Sequence, residues 1–365
     1  MTPTATVADI LEKARKSIQP QMRNAVNQLA PSIRDVVTYH LGWTDADGRP
    51  SEAAAGKGVR PALALLSAEA AWADAAMGIP GGVAVELIHN FSLIHDDLMD
   101  GDLERHHRPT VWALWGADTA VIAGDALASL ATQVLLTTNN PTGPAAAAAL
   151  GAATAEMIAG QADDLAFEKR RQVSIEECMA MSTAKTGALL GCAASIGAIL
   201  AGAPLATIRA LKDYGRHLGV AFQAVDDLLG IWGDPTTTGK PVGNDIHQRK
   251  KSMPIVAALA AGDDESKELM VILYGDSHNE ESDPSDYGDH GDRSDGAAAA
   301  AKPLSQKELD RATWLVEACG GREWTAARAK AHLDAALGSL ERARLSAVPR
   351  RALADIALFV VERES

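Results

Sequence analysis

Two aspartate pairs sit at the ends of apolar stretches, and no other feature constrains this chain as strongly. Asp96-Asp97-Leu98-Met99-Asp100 follows Phe91, Leu93 and Ile94, and Asp226-Asp227-Leu228-Leu229-Gly230 follows Phe222, Ala224 and Val225. Both lead-ins read as buried helix, where a carboxylate is costly unless a cation or a donor compensates it. On a helix, Asp96 and Asp100 lie four residues apart and project from one face, so their oxygens can share a metal ion. Two such clusters facing each other would hold divalent ions between them.

The rest of the chain favours helix. Its 365 residues, 47% hydrophobic, can bury a sizeable core. Aromatic residues make up only 4%, alanine is abundant, and strand-type runs are scarce, which predicts an all-α protein of closely packed helices. Helical periodicity runs over Val7–Ile18, breaks at Pro20, resumes over Met22–Leu41 with a further break at Pro31, and starts again from Pro61. The first aspartate cluster falls on a helix spanning Gly82–Gly101, and Pro109 opens the segment that reaches Leu136. Ser174 with Glu177 and Ser305 with Glu308 form capping boxes, and Gly320-Gly321 closes a helix over Gln306–Cys319.

The net charge of -14 argues against nonspecific binding to nucleic acid or an anionic membrane surface. Between Gly275 and Gly296, eight acidic residues face a single Arg293, which accounts for half of that charge. This stretch, within a loop at about 275–303, is too polar to bury a core of its own. Because it interrupts a continuous helical series, one domain over 1–365 is expected. Cys178, Cys192 and Cys319 have no metal-ligand spacing and leave an odd thiol, predicting reduced cysteines and a cytoplasmic protein without a signal peptide. The uncharged stretch Thr186–Ile208 is long enough to span a bilayer, but its glycines and Pro204 read as a packed central helix ending in a turn, so no transmembrane segment is expected.

Carboxylates as sole ligands suit hard cations, and Mg²⁺ is usually held by a few carboxylates together with phosphate oxygens and water. The implied substrate is a diphosphate. Isolated basic residues stand in suitable contexts to bind it: Lys57 and Arg60 in a Gly-rich turn, Arg105 just past the first cluster, Lys185 before a glycine, and Lys240 in Thr-Thr-Gly-Lys-Pro. Lys250-Lys251 reads as a solvated pair or a further diphosphate contact. His95, Gln161 and Asp164 read as buttresses of the aspartates.

Taken with Gly233-Asp234-Pro235, Gly239-Lys240-Pro241-Val242-Gly243-Asn244-Asp245, Gly56 to Pro61, Gly160-Gln161 and Lys185-Thr186-Gly187, the two clusters resemble the aspartate-rich regions of the trans-isoprenyl diphosphate synthases, or polyprenyl synthetases. The resemblance covers about Gly56 to Leu259 in the family's order. It implies an isoprenoid synthase-type helical bundle with a deep central cavity, a homodimer, and the joining of an allylic diphosphate to isopentenyl diphosphate. It further implies that Asp96, Asp100 and Asp226 bind Mg²⁺ and that Asp97 and Asp227 support them. Arg105, Lys185 and Lys240 would grip the allylic diphosphate, and Lys57, Arg60 and His89 the isopentenyl one, with Thr186 and Gln223 also at the substrate. An aromatic at Phe91, five residues before Asp96, implies a medium-chain product, geranylgeranyl in preference to farnesyl diphosphate.

Three positions depart from the pattern. His106 stands where an Arg usually contacts isopentenyl diphosphate, and a histidine is a weaker, pH-dependent cation that Arg108 is placed to supplement. Gly58 replaces a basic residue, and Gly230 removes the outermost carboxylate of the second motif, with Asp234 the nearest substitute. These departures keep two alternatives open: a class I terpene synthase that ionises one prenyl diphosphate, and a noncatalytic subunit of a heteromeric synthase.

Overall fold

The computed structural model describes residues 6–51, 56–234, 242–275 and 303–361, and among these the chain is helical almost throughout. Helix α1 (Val7–Val26) opens on a capping box between Thr6 and Asp9, and its buried Leu11, Ala14, Ile18, Met22 and Ala25 recur at the spacing of one helix face. The expected break at Pro20 does not occur. Pro20 is exposed, so the carbonyl deprived of its helical partner can be solvated while the apolar stripe continues from Ile18 to Met22. Pro31 does start a helix, α2 (Pro31–His40).

The series continues with α3 (Val59–Ala70), α4 (Ile79–Met99), α5 (Val111–Trp115), α6 (Ala117–Leu136), α7 (Gly143–Glu168) and α8 (Ile175–Ser182). A single π-helical segment, Thr183–Gly187, leads into α9 (Ala188–Leu200), and α10 (Leu205–Trp232) carries the second aspartate pair. Shorter helices follow at Asn244–His247, Met253–Leu259 and Asp264–Tyr274, then longer ones at Gln306–Ala318, Gly321–Glu341 and Ala347–Val361. Both capping boxes read from the sequence are formed: Ser174 N donates to Glu177 at 2.9 Å and Ser305 N to Glu308 at 2.7 Å. The acidic stretch lies outside the described residues, apart from its edges at Gly275 and Pro303.

By compactness the chain divides into two units, residues 1–163, 180–223 and 329–365 forming the first and residues 164–179 and 224–328 the second. The first buries Leu63, Leu87, Ile94, Leu127 and Ile196 in a core shared by α3, α4, α6 and α9. The second has a smaller core that includes Ile231, Ile246, Ile255, Leu269 and Leu315. None of the three cysteines is in a disulfide.

Three helical stretches among the described residues, Ala75–Met99, Ala117–Leu136 and Ile175–Leu200, are long and apolar enough to cross a bilayer by length and composition. The stretch Thr186–Ile208 is itself broken, because α9 stops at Leu200 and a turn through Gly202 precedes α10.

Candidate active site

In the first unit, α4 delivers Asp96 and Asp97 to its last turn and ends with Asp100 as its C-cap. The negative end of the helix dipole lies here, which disfavours carboxylates and adds to the burden of burial. Burial pushes Asp96 up to about 6, while Lys185 pulls it back down and Asp100 pushes it further up. Arg105 also pulls it down and Asp97 pushes it up, so three carboxylates stand beside two cations. A hard divalent cation fits this donor set, since two carboxylates leave room for waters and phosphate oxygens in its shell. Among the described residues no three His, Cys, Asp or Glu side chains converge into a ready-made cage.

Asp97 differs from its neighbour. It is buried, and Arg105 donates to its Oδ1 from Nε at 2.8 Å and Nη2 at 2.7 Å. Arg105 is positioned by a hairpin that the sequence did not reveal, in which Glu104–Arg105 (β1) pairs antiparallel with Arg108–Pro109 (β2). The two turn residues, His106 and His107, both have positive φ, 52° and 60°. Such a turn ordinarily carries Asn-Gly or Asp-Gly, so two histidines left no signal for it. Arg108 anchors the hairpin by donating to the carbonyls of Tyr39 at 3.1 Å and Thr44 at 2.9 Å, and its guanidinium lies 4.1 Å from the Tyr39 ring centroid. These bonds tie it to the α2 end rather than leaving it to supplement His106.

Lys185 and Thr186 belong to the π-helical turn, a distortion that often marks functional positions. It is seated directly on α7: a Cβ on Gly160 would stand 2.4 Å from the Lys185 backbone nitrogen, so only glycine permits this approach. Thr186 Oγ1 donates to Gln223 Oε1 at 2.8 Å, joining two residues expected at the substrate. No hydrogen bond joins either expected buttress in this unit to an aspartate. Both amide atoms of Gln161 are buried without a hydrogen-bond partner, and His95 Nε2 lies 3.2 Å from the Val121 carbonyl with its ring edge-on to Phe91. Phe91 itself is buried in the core.

Arg60 and His89 also lie in the first unit, beside Glu86, a residue the sequence reading passed over. Burial lowers the Arg60 guanidinium and raises the Glu86 carboxyl, and each pulls the other back towards its charged form. His89 is held well below its usual range by burial, Arg60, Arg105 and His40, in that order. A glutamate within the apolar run of α4 gives the same signal as Asp96 and could have been read in the same way. Lys57 is exposed in the turn before α3.

In the second unit, Asp226 is exposed and Asp227 is buried. Asp227 Oδ2 accepts the backbone N–H of Met253, the first residue of its helix, at 2.9 Å. Gly230 has a steric cause. A Cβ there would stand 2.6 Å from the carboxyl carbon of Asp245, which the helix Asn244–His247 brings against α10. The carboxylate packed at this position is therefore Asp245, while Asp234, the nearest candidate by sequence, is exposed. Lys251 is not solvated either, because its Nζ is buried 3.5 Å from the Tyr274 ring centroid. Lys240 lies outside the described residues.

The sequence pattern of the family described as polyprenyl synthetase matches residues 50–287. The chain belongs to the polyprenyl synthetase family. It is 44% identical over 362 residues to a (2E,6E)-farnesyl diphosphate synthase of Mycobacterium tuberculosis, covering 99% of this chain and 95% of that one. A geranylgeranyl diphosphate synthase of the same organism is 36% identical, over 91% of this chain and 88% of its own. The crystal structure of a polyprenyl synthetase from Streptomyces coelicolor A3(2) superposes with a TM-score of 0.87 at 47% identity, covering 97% of this chain and 99% of that one. The fold is accordingly the all-α isoprenoid synthase fold, and the protein is an enzyme of the trans-prenyl diphosphate synthase type. The terpene synthase and noncatalytic alternatives are not favoured.

Proposed function

We propose that this prenyltransferase condenses an allylic diphosphate with isopentenyl diphosphate to give a medium-chain trans-prenyl diphosphate. The observation that carries this reading is the grouping of Asp96, Asp97 and Asp100 with Lys185 and Arg105, three carboxylates beside two cations. Asp96, Asp100 and Asp226 would hold Mg²⁺, which when bound neutralises the charge developing on a departing diphosphate. Lys185, Arg105 and Lys240 orient the allylic diphosphate, and Lys57, Arg60, His89 and His106 bind the isopentenyl one. The allylic C–O bond breaks heterolytically, the isopentenyl double bond attacks the cation, and a proton is lost to the released diphosphate. Thr186 and Gln223 lie at the substrate, and apolar walls exclude water that would quench the cation.

Phe91 limits chain length from the buried face of α4. Geranylgeranyl diphosphate is the product this reading expects. Farnesyl diphosphate is the second reading, favoured by the name of the 44% identical relative. The enzyme works as one functional domain in the cytoplasm, in keeping with cysteines that form no disulfide. It acts as a homodimer, for which exposed Val121 and Ile122 on α6 offer an apolar face. Incubating the purified protein with Mg²⁺ and allylic diphosphates of increasing length, with and without isopentenyl diphosphate, tests the reaction. Elongated products only when isopentenyl diphosphate is present support it, whereas hydrocarbon products in its absence, or no turnover, defeat it.

A further inference from the structure

His106 is a poor replacement for an arginine at a diphosphate, Arg108 is tied to carbonyls, and Arg105 is bound to Asp97. The same part of the first unit contains a cavity of about 60 Å³ lined by Asp97, Arg105, His106, Arg108 and, from the end of α2, Tyr39 and His40. Its volume equals about two waters at ~30 Å³ each, enough for a small anionic group. Four side chains capable of positive charge, His40, Arg105, His106 and Arg108, surround it, while its only carboxylate is already paired with Arg105.

His40 is the unexplained member of this set. Its Nε2 is sealed from solvent and makes no hydrogen bond, which is unusual for a buried polar atom. Burial, then Arg105, with Arg108 and His106 in support, drives the ring towards its neutral form, while Asn90 opposes them. A neutral imidazole with a proton on Nε2 remains a hydrogen-bond donor, and donors among cations suit an anionic acceptor. The ring is also near enough to His89 to contribute to its depressed basicity, alongside Arg60 and Arg105. His40 thus shares Arg105 as a neighbour with His89.

We infer that His40 is a substrate-binding residue whose Nε2–H donates to a phosphate oxygen of isopentenyl diphosphate, making up for the arginine absent at His106. This rests on the condensation reading above. The cavity wall beside the ring is tied down, since Tyr39 Oη donates to the Pro109 carbonyl at 2.8 Å.

The test compares wild type, His40→Gln, which retains an N–H donor, and His40→Phe, which keeps the bulk and loses it. KM is measured separately for isopentenyl diphosphate and for the allylic diphosphate, with thermal midpoints as a check on folding. The expected result is about a tenfold rise in KM for isopentenyl diphosphate in His40→Phe, under twofold change for the allylic substrate, and substantial recovery in His40→Gln. An unchanged KM, an equal rise for both substrates, or a rise confined to the allylic one overturns the assignment. Should His40→Phe fold poorly, calorimetric binding of isopentenyl diphosphate to wild type and His40→Gln replaces it, and a loss of more than tenfold in His40→Gln counts against the donor role. Failure of the condensation reading itself would show separately, as wild type that yields no elongated product.

Discussion

The two aspartate pairs are alike in sequence and differ in what holds their second members. Asp97 is fixed by a guanidinium that arrives on a strained hairpin, and Asp227 by the backbone N–H that opens the helix Met253–Leu259. In both pairs the second carboxylate is the more buried one, held by Arg105 at Asp97 and by the Met253 N–H at Asp227. The two members of a DD dipeptide on a helix thus meet different surroundings, because adjacent residues project about 100° apart. The lesson is that the anchors differ in kind: Asp97 is held by a guanidinium and Asp227 by a backbone N–H.

The largest effect expected from separating these roles is at Asp96. Asp96→Ala should lower kcat/KM by about a thousandfold, or ~4 kcal/mol, while far-ultraviolet circular dichroism stays unchanged. Retained turnover would remove Asp96 from the ligand role and erase the distinction.

Acid should expose a second difference. His40 is held down to about 4, against 6.5 for an unperturbed histidine, and His89 is also depressed, whereas the described histidine of the second unit, His247, is exposed. Because the unfolded chain takes up these protons first, stability is complete above pH 6.5 and is lost as pH falls towards about 4, with His40 accounting for up to ~3 kcal/mol. Denaturant midpoints between pH 7.5 and 5 should decline in wild type and decline less in His40→Gln. Parallel curves would place the acid sensitivity elsewhere.

The anchors themselves make the sharpest contrast. Asp97→Ala and Asp227→Ala should each destabilise by about 2 kcal/mol, the first by stranding Arg105 and the second by leaving a buried N–H unpaired. The Asn variants should diverge. Asp227→Asn keeps an acceptor for Met253 and recovers most of the loss, but Asp97→Asn lacks the charge that Arg105 requires. Urea titration of the four variants decides this, and equal recovery in both Asn variants would show that the anchors are equivalent.

The smallest effect concerns the shortened second motif. Gly230→Ala should cost about 1–2 kcal/mol by pressing on the Asp245 carboxyl, and Asp245→Gly in the same chain should relieve part of that cost. Strict additivity in calorimetric melting would mean that the two residues do not compete for one space.

Much of this was legible in the sequence. Alanine-rich apolar runs predict helices, and the capping boxes at Ser174 and Ser305 were read from local spacing because their bonds close within three residues. The aspartate motifs and the basic residues around them named the family. Less legible were the continuation of α1 through Pro20, which depends on the side of the helix that faces water, and the hairpin turn at His106 and His107.

What sequence alone determined, then, was the helical character of the chain, the family, and which residue types could do the chemistry, since these follow from composition and short-range pattern. Only the tertiary structure decided which carboxylates already have partners. Arg105 reaches Asp97, Asp245 fills the space over Gly230, and His40 comes beside Arg105 and Arg108 through contacts between elements distant in the chain or through turns without a sequence signature. Whether an acid is a metal ligand or an anchor depends on its neighbours in space, because burial and the nearest opposite charge set its energy, and a one-dimensional pattern does not contain those distances.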